Sequence, residues 1–485
     1  MWKNGFNVVR NLIEWRSWFG NDSQALLADQ SAHGGLHRHQ PKTFAHGLVL
    51  ADCKAATASL PIRQFPFAPV MSIPLRQHIG KAALPVVQPG QEVNRGQLLA
   101  KPDGFLSVAM HAPVSGIVKK IDWMPTIQGN MEQGIYLQTY PAATQEVIEG
   151  VPCLPTAPVK QMLEAMQNAG IVGLGGAAFP SHVKLTIPEG KFVDTLLING
   201  VECEPYLTTD HRVMLEQSAD IILGIRYLLR ITGAQQAIIA IEANKLDAVE
   251  TLQNALPDDM SIRVQVVAVK YPQGAEKILI KTLFKREIPA GKHAIDVHVL
   301  GVNVATTAEI GRLLPHGRGI QERVITISGP AVKRPGNYRI AIGTPVRFAL
   351  EQVGVADDLA EVFLGGPMMG QAVSHLDIPI TKGVSGIIAL TTADAHPDQK
   401  IYPCIHCGGC VSVCPMFLNP SQLGLLAKQQ NYARMVTEFN LLECFECGAC
   451  DYVCPSHIPL LQYIRVAKQS VKKQRRNASS REATE

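Results

Sequence analysis

The sequence lacks several features that would point to particular functions. Aromatic residues make up only 6% of its 485 residues, and the formal net charge is only +4. So small a charge gives no electrostatic footprint for nucleic acid, and no nucleic-acid partner is expected. No run of about eighteen uncharged apolar residues occurs, so no transmembrane helix is predicted. The N-terminus has neither a continuous apolar core nor a small-residue cleavage site, so no signal peptide is predicted.

Cysteine is also scarce, but it is concentrated near the C-terminus. Most of the eleven cysteines fall in two copies of the pattern C-x2-C-x2-C-x3-C-P, at Cys404–Pro415 and Cys444–Pro455. This spacing is typical of bacterial two-cluster ferredoxins, in which the fourth cysteine of each run binds the other cluster. The sequence therefore predicts two [4Fe-4S] clusters. The predicted ligand sets are Cys404, Cys407, Cys410 and Cys454 for one cluster, and Cys414, Cys444, Cys447 and Cys450 for the other.

Two alternatives to iron–sulfur clusters are zinc and disulfide bonds. Zinc ribbons use pairs of C-x2-C rather than triplets followed by C-P, and disulfides would not require two matching copies. Cluster thiolates also indicate a reducing compartment, so a cytoplasmic location is expected. The upstream chain should then deliver electrons to the clusters or remove them.

The first 150 residues divide into an extension, residues 1–43, and a β-rich domain, residues 44–150. The extension begins with a segment rich in Trp, Phe and Arg, which suits a helix at a membrane interface, on a partner or on its own domain. In the β-rich domain, Val87–Leu98 and His111–Val118 resemble the two halves of a lipoyl-type hammerhead barrel. The hairpin between them, Asp103–Ala109, has no lysine at its tip, so we expect a structural or docking role rather than a carrier function.

Residues 151–321 alternate between strand and helix patterns, which predicts a parallel sheet. The glycine-rich turn Gly173–Lys184 enters a helix, and such turns hold phosphate with backbone N–H groups. Polar loops follow the predicted strands, the last of which is Asp296–Leu300. Ligands in such folds gather beyond the carboxyl ends of the strands, so we expect these loops to converge on one crevice. The polar and glycine residues of these loops are Asn199, Glu202, Glu204, Gly274, Glu276, Asn303 and Thr306.

The rest of the chain divides into three parts. Residues 322–392 predict a smaller β-rich domain, and residues 393–468 hold the cysteine runs within a largely helical domain. Residues 469–485 are polar and basic, which predicts a disordered tail. Its basic residues could contact an anionic surface, although a solvated tail is the simpler expectation.

Over nearly its whole length the chain resembles the RnfC family, a subunit family of the Rnf (also called Rsx) ion-translocating electron-transport complex. The middle third also resembles the flavoprotein subunit of respiratory complex I, and residues 322–392 resemble that family's β-grasp (SLBB) domain. The implied fold is multidomain, α/β and α+β: a hammerhead barrel, an FMN/NADH domain with a parallel sheet, a β-grasp domain and a helical domain with two [4Fe-4S] clusters. The phrases that carry the resemblance are Gly34–His37, Pro74–Gly80, His111–Gly116, Gly173–Ala177, Asn199–Pro205, Gly365–Gly370 and Cys454–Ile464.

The resemblance also implies roles for the loop residues. The complex I loop reads G-R-G-G-A-G-F-P, and here Leu174 replaces its Arg, Ala178 its last Gly, and Val201 an acid two positions after Asn199. Phe179 could stack on nicotinamide, and Glu204 falls near the dinucleotide. Gly274 and Glu276 complete the predicted cofactor-binding set. The residues implied at FMN are Gly173, Gly175, Gly176, Lys184, Asn199, Glu202, Asn303 and Thr306.

The function implied by the resemblance is electron transfer between NADH and ferredoxin, coupled to Na⁺ or H⁺ translocation. FMN and NAD(H) are the expected cofactors beside the clusters, and no catalytic acid or base is predicted, because hydride transfer needs none. The expected partners are the other members of the complex, especially an iron–sulfur protein, with ferredoxin acting indirectly. The chain is expected at the cytoplasmic face of the inner membrane.

Two other functions stay open at this point. One is a soluble NADH-oxidising flavo-iron–sulfur subunit of another complex, against which the barrel-like domain argues. The other is an electron-relay scaffold that has clusters but no flavin.

Overall fold

The computed structural model describes residues 41–482 except residues 260 and 396–398, with side chains as far as residue 477. The Trp-rich segment and Gly34–His37 therefore lie outside the described residues. Within the described part, the strands form four sheets. The strands are β1 (Ile62–Gln64), β2 (Val70–Pro74), β3 (Leu84–Pro85), β4 (Glu92–Val93), β5 (Leu98–Lys101), β6 (Met110–His111), β7 (Gly116–Pro125), β8 (Met131–Thr139), β9 (Thr195–Gly200), β10 (Gln236–Glu242), β11 (Ile262–Val267), β12 (Val299–Asn303), β13 (Glu322–Ser328), β14 (Gly336–Ala341), β15 (Leu359–Leu364), β16 (Gln371–Ala372) and β17 (Gly386–Thr391).

The helices lie mostly in the middle of the chain and at its C-terminal end. The α-helices of the described residues are α1 (Val159–Asn168), α2 (Ser181–Leu185), α3 (Thr209–Glu216), α4 (Ser218–Thr232), α5 (Leu246–Ala255), α6 (Glu276–Phe284), α7 (Val304–Leu313), α8 (Val346–Val353), α9 (Thr392–Ala395), α10 (Gly409–Val413), α11 (Pro420–Lys428), α12 (Tyr432–Thr437), α13 (Ala449–Tyr452) and α14 (Leu460–Glu482).

The N-terminal β domain consists of two small sheets, with strand orders β2-β8-β7-β4 and β3-β5-β6. Its core is apolar, with Met71, Leu99 and Ile135 fully buried. The hairpin between β5 and β6 packs on the next domain, because the Gln167 amide donates to the Gly104 and Ser107 carbonyls at 2.9 and 3.0 Å. The docking role expected for this hairpin is therefore intramolecular.

The middle domain contains a parallel sheet in the order β11-β10-β9-β12. Strands β9 and β10 are almost wholly buried, as expected for a parallel sheet that is covered on both faces. The last strand was predicted too early in the chain: a 3₁₀ turn occupies Ala294–Val297, and β12 begins only at Val299. This shift makes Asn303 both the end of β12 and the cap of α7.

The smaller β domain is built on a sheet in the order β1-β14-β13-β17-β15-β16. Strand β1 lies in the segment predicted to belong to the barrel-like domain, yet it pairs in parallel with β14. A segment from near the start of the chain therefore completes the sheet of a domain that follows more than two hundred residues later.

The C-terminal domain is helical, and its longest helix is α14. Its apolar core contains Leu423, Met435, Ile464 and Ala467. The prediction of a disordered tail was wrong for residues 469–482, because α14 continues through them. Among the described residues, no helix has the length and apolar character needed to cross a membrane.

Candidate functional site

A crevice of about 2050 Å³ opens at the carboxyl edge of the parallel sheet. Pockets for single small molecules typically measure about 300–1,000 Å³, so this crevice has room for two ligands side by side. The loops expected to converge on one site do so. All the binding residues predicted from the sequence line the crevice: Gly173, Gly175, Gly176, Phe179, Lys184, Asn199, Glu202, Glu204, Gly274, Glu276, Asn303 and Thr306.

The glycine-rich loop is closed on itself by backbone bonds. The Gly173 N–H donates to the Phe179 carbonyl at 2.8 Å, and the Ala178 N–H donates back to the Gly173 carbonyl at 3.1 Å. Gly176 has φ +106° with open space where a Cβ would lie, whereas a Cβ at Gly175 would come within 3.3 Å of Asn303. Ala178 has φ +47°, a conformation that favours glycine and strains other residues. Alanine at this position, where the complex I loop has glycine, therefore lowers the stability of the loop.

The loop is fastened to α7 by polar contacts. The Thr306 hydroxyl accepts the Leu174 N–H at 2.8 Å. The Asn303 side chain accepts the N–H groups of Ala305 and Thr306, and so caps the helix. It also donates to the Asp210 carboxylate at 2.7 Å. The side chains of Asn303 and Thr306 are thus held in place by contacts within the protein.

The carboxylates of the crevice are bound by other protein groups. Glu202 accepts the N–H of Asp210 at 2.9 Å, at the start of α3. Glu204 accepts the N–H groups of Met368 and Met369, at 3.0 and 2.8 Å, and so holds a loop of the smaller β domain. Burial raises the pKa of Glu204 to about 7, although these two hydrogen bonds counteract the rise. These carboxylates therefore shape the crevice by fixing its loops.

The remaining predicted polar residues are also paired. Lys184, in α2, forms an ion pair at 2.9 Å with Glu276, the first residue of α6. The Asn199 amide donates to the Gly274 carbonyl at 2.8 Å. Each of these pairs joins two segments of the middle domain that are far apart in sequence.

Sequence reasoning missed three side chains that build this site. Lys54 is buried, and its ammonium donates to the carbonyls of Glu202, Glu204 and Leu207 at 2.8, 3.0 and 2.5 Å. Arg323 is also buried and donates to the Leu174 carbonyl at 3.2 Å. Burial, reinforced by the nearby Glu202, raises the pKa of Asp210 to about 7. No local pattern marks these residues, because each acts on a segment that is distant in sequence.

The residues of the crevice fit a flavin mononucleotide. The glycine loop leaves open space at Gly176, where its backbone can approach a ligand. Amide, carboxyl and hydroxyl groups surround this loop and could bond the polar edge and side chain of a flavin. The volume of the crevice leaves further room for a second nucleotide.

The first set of cysteines, which we call the outer quartet, surrounds a small cavity of about 60 Å³. Its members, Cys404, Cys407, Cys410 and Cys454, all line that cavity. The outer quartet lies partly at the surface, since Cys407 is exposed. Three of the four come from one loop and the last from the other run, as the ferredoxin-like spacing predicts.

The second set, Cys414, Cys444, Cys447 and Cys450, we call the inner quartet. Cys414 lies close enough to the other three to interact electrostatically with each of them. Burial raises the pKa of the Cys447 thiol to about 12 and also raises those of Cys444 and Cys450. Such thiols become thiolates when a metal binds them.

The quartets suit clusters better than single metal ions. Among the described residues, no three His, Cys, Asp or Glu side chains converge closely enough to hold one ion. A [4Fe-4S] cluster needs wider spacing, because each thiolate binds a different iron. Both runs also place a positive φ at equivalent positions, His406 and Gly408 in one and Glu446 and Gly448 in the other.

Four protein-family models match the chain, in the order predicted from the sequence. An RnfC barrel sandwich hybrid domain matches residues 42–140, and a Nuo51 FMN-binding domain matches residues 166–312. An SLBB domain matches residues 324–372, and a 4Fe-4S dicluster domain matches residues 399–458. The predicted multidomain fold class is confirmed by these matches.

Curated relatives match nearly the whole chain. The C subunit of the proton-translocating ferredoxin:NAD(+) oxidoreductase complex of Clostridium ljungdahlii is 44% identical over 433 residues, which cover 88% of this chain and 93% of that protein. The C subunit of the Na(+)-translocating complex of Acetobacterium woodii is 38% identical, covering 90% and 99%. An air-oxidized NAD+-reducing [NiFe]-hydrogenase aligns over 79% of each chain with a TM-score of 0.43 and 16% identity.

Proposed function

The chain belongs to the RnfC family, the C subunits of ion-translocating ferredoxin:NAD+ oxidoreductase (Rnf) complexes, and from this we propose that it carries electrons between NAD(H) and two [4Fe-4S] clusters, with FMN bound in the crevice. The observation that supports the proposal most is that one crevice gathers every predicted nucleotide-binding residue and also borders the inner-quartet loop, through Leu442 and Glu446. The prediction of NAD(H) as a cofactor was wrong, because NAD(H) is a substrate in an oxidoreductase of this kind.

FMN, when bound, supplies the conversion between the paired electrons of a hydride and single electrons. The residues of this chain bind and orient it. The loop from Gly173 to Gly176 offers its backbone, and the pairing of Lys184 with Glu276 closes one side of the crevice. Phe179 and Glu204 are assigned to the dinucleotide side. The FMN residues are Gly173, Gly175, Gly176, Lys184, Asn199, Glu202, Asn303 and Thr306. Gly274 and Glu276 complete the cofactor-binding set of the crevice without being assigned to one of the two nucleotides.

The cysteine quartets are assigned to the two clusters as paired above. The inner quartet lies next to the flavin crevice, because the Tyr271 hydroxyl, on a loop that borders the crevice, donates to the Cys447 carbonyl at 2.5 Å. The outer quartet has a solvent-exposed cysteine, where another protein can approach. This arrangement suits exchange of single electrons with a neighbouring protein of the complex.

The proposed setting is the cytoplasmic face of the cell membrane. We assign the chain to a complex with other subunits, one of them an iron–sulfur protein that exchanges electrons with ferredoxin. The relatives are named as subunits of proton- and Na+-translocating complexes, which supports coupling to either ion.

The proposal is tested on the purified full chain, reconstituted with FMN, iron and sulfide. We expect NADH to bleach both the flavin and the iron–sulfur absorbance under anaerobic conditions. The Gly175→Asp variant should bind no flavin, because the new side chain would project against Asn303. The same variant should keep its iron, because the clusters lie in a different domain.

Gly190→Asp is the matched control. Gly190 has φ +75° and open space around it, and it lies away from the crevice lining, so this variant should keep its flavin. Full flavin retention by Gly175→Asp would contradict the loop assignment. Absence of bleaching in the wild type would contradict the proposed function itself.

A further inference from the structure

Helix α14 adds a basic face to the crevice. Arg465, Lys468, Lys472 and Arg475 all line it. They recur every three or four residues, so they share one side of the helix. This face includes the part of the chain whose composition had predicted a disordered tail.

The first two of these side chains are engaged within the protein. Glu446 pairs with both Arg465, at 3.3 Å, and Lys468, at 2.7 Å. Arg465 also donates to the Met369 carbonyl at 3.1 Å, and Lys468 to the Cys444 carbonyl at 2.8 Å. These contacts fix the start of α14 against the inner-quartet loop and the smaller β domain.

The next two side chains are left without such partners. Lys472 and Arg475 are exposed, and neither forms a hydrogen bond or ion pair with any residue that the structure describes. None of the described carboxylates that line the crevice pairs with Lys472 or Arg475, because each is bound to another group. The bound carboxylates are Glu132 with Arg76, Glu202 and Glu204 with backbone N–H groups, Glu276 with Lys184, Asp210 with Asn303, and Glu446 with α14.

We propose that Lys472 and Arg475 bind the phosphate groups of the dinucleotide substrate. This assignment rests on the proposed function. A dinucleotide carries two linked, ionised phosphates, and Arg and Lys are the side chains that pair with phosphate oxygens. FMN is assigned to the glycine loop, and the volume of the crevice leaves space for a second nucleotide. Exposed side chains suit a substrate that must enter and leave.

The test uses the full chain, loaded with FMN and clusters, and ADP-ribose as the probe. ADP-ribose has the linked phosphates of the dinucleotide but no nicotinamide, so its binding is measured by calorimetry without turnover. We expect Lys472→Glu and Arg475→Glu each to weaken ADP-ribose binding by about tenfold, the effect of losing one charge-assisted contact. Flavin and iron contents should stay at wild-type levels.

Lys473→Glu is the matched control. Lys473 is the neighbouring residue on the same helix and is equally exposed, but it does not line the crevice. The charge change is the same, so a general electrostatic effect would weaken binding in both variants alike. We expect Lys473→Glu to bind ADP-ribose as the wild type does.

Each of the following outcomes would overturn the assignment. Equal weakening in Lys473→Glu would mean that only net charge matters. Loss of flavin from Lys472→Glu would mean that this face holds the FMN phosphate instead. If Lys472→Glu and Arg475→Glu bound ADP-ribose as the wild type does, the assignment would be wrong. If these variants also lost binding to membranes that contain the other members of the complex, the basic face of α14 would be a docking surface. If the wild type binds neither ADP-ribose nor NADH, the proposed function fails with it.

Discussion

The two cysteine quartets share a sequence pattern and a local backbone, but their surroundings differ. In both loops a glycine with positive φ, Gly408 or Gly448, precedes a short helix that carries the third cysteine. Burial raises the pKa of three thiols of the inner quartet, and in the outer quartet it raises that of one, Cys410. In the outer quartet Cys407 is exposed, next to Ile405, which is 66% exposed. The repeated motif thus sets local geometry, and long-range packing sets the environment.

The contacts of the two loops show where this difference arises. The inner-quartet region is tied to the flavin-crevice domain by Tyr271 and by the Lys277–Glu443 ion pair at 2.7 Å. The outer quartet is fixed by bonds within the C-terminal domain, such as that from the Ser456 hydroxyl to the Pro403 carbonyl at 2.9 Å, which joins the two cysteine runs. Because hydrogen bonds and exposure tune the potential of a cluster, the two sites should differ in redox behaviour although their ligands are the same.

The largest expected effect comes from removing Cys414. This cysteine belongs to the first C-x2-C-x2-C-x3-C-P run, but it is assigned to the inner quartet together with three cysteines of the second run. Cys414→Ala should lose about half of the bound iron, because it removes one of two clusters. Adding Cys447→Ala should cause no further loss, since both residues belong to the inner quartet. Adding Cys407→Ala to Cys414→Ala should instead remove nearly all the iron.

Iron and sulfide analysis of the reconstituted proteins measures this directly. If Cys414→Ala with Cys447→Ala lost both clusters while Cys414→Ala with Cys407→Ala kept one, each run would hold its own cluster. The crossed pairing, and with it the comparison of an inner and an outer site, would then be wrong.

A smaller effect separates the two equivalent glycines. Alanine at either position adopts a left-handed backbone, which costs about 1–2 kcal/mol. Gly408 has open space where the new Cβ would lie, but at Gly448 that Cβ would be 2.8 Å from the Met368 carbonyl. Gly448→Ala should therefore cost about 1–3 kcal/mol more than Gly408→Ala, the usual range for overpacking.

Thermal unfolding followed by iron–sulfur absorbance checks this difference. The inner-cluster signal should be lost at a lower temperature in Gly448→Ala than in Gly408→Ala. Equal shifts would mean that the contact with the smaller β domain does not support the inner loop.

The sequence predicted the parts of this molecule that depend on local pattern. The cysteine spacing gave the quartets, and the strand-then-loop order brought Asn199, Gly274 and Asn303 to one crevice, because parallel strands end at the same edge. The contacts of the loop side chains could not be predicted from the sequence, because they join distant segments. Glu204, for example, binds the N–H groups of Met368 and Met369, more than 160 residues away. The pairing of β1 with β14 is non-local in the same way.

The error over α14 has a different cause. Its polar composition suggested disorder, yet Leu460, Ile464, Ala467 and Val471 recur at helical spacing and are buried. The periodic signal was present, but it was outweighed by the run of basic residues that follows. Those residues form the helix face on which the proposed phosphate contacts depend.

The smallest expected effect tests a single hydrogen bond at the inner quartet. The Tyr271 hydroxyl donates to the Cys447 carbonyl at 2.5 Å, and burial keeps that hydroxyl protonated by raising its pKa well above the usual value. Tyr271→Phe would leave the carbonyl without this partner, at a cost of about 1 kcal/mol. We expect the inner cluster to lose iron faster to a chelator, while the outer cluster is unaffected.

Tyr402→Phe is the control at the other quartet, because the Tyr402 side chain is about half exposed and its hydroxyl can bond to water. This variant should release iron from both clusters at wild-type rates. If the two variants behaved alike, the Tyr271 bond would add nothing to the inner site. Its protection from chelators would then come from burial alone, and the contrast between the quartets would be one of exposure rather than of specific contacts.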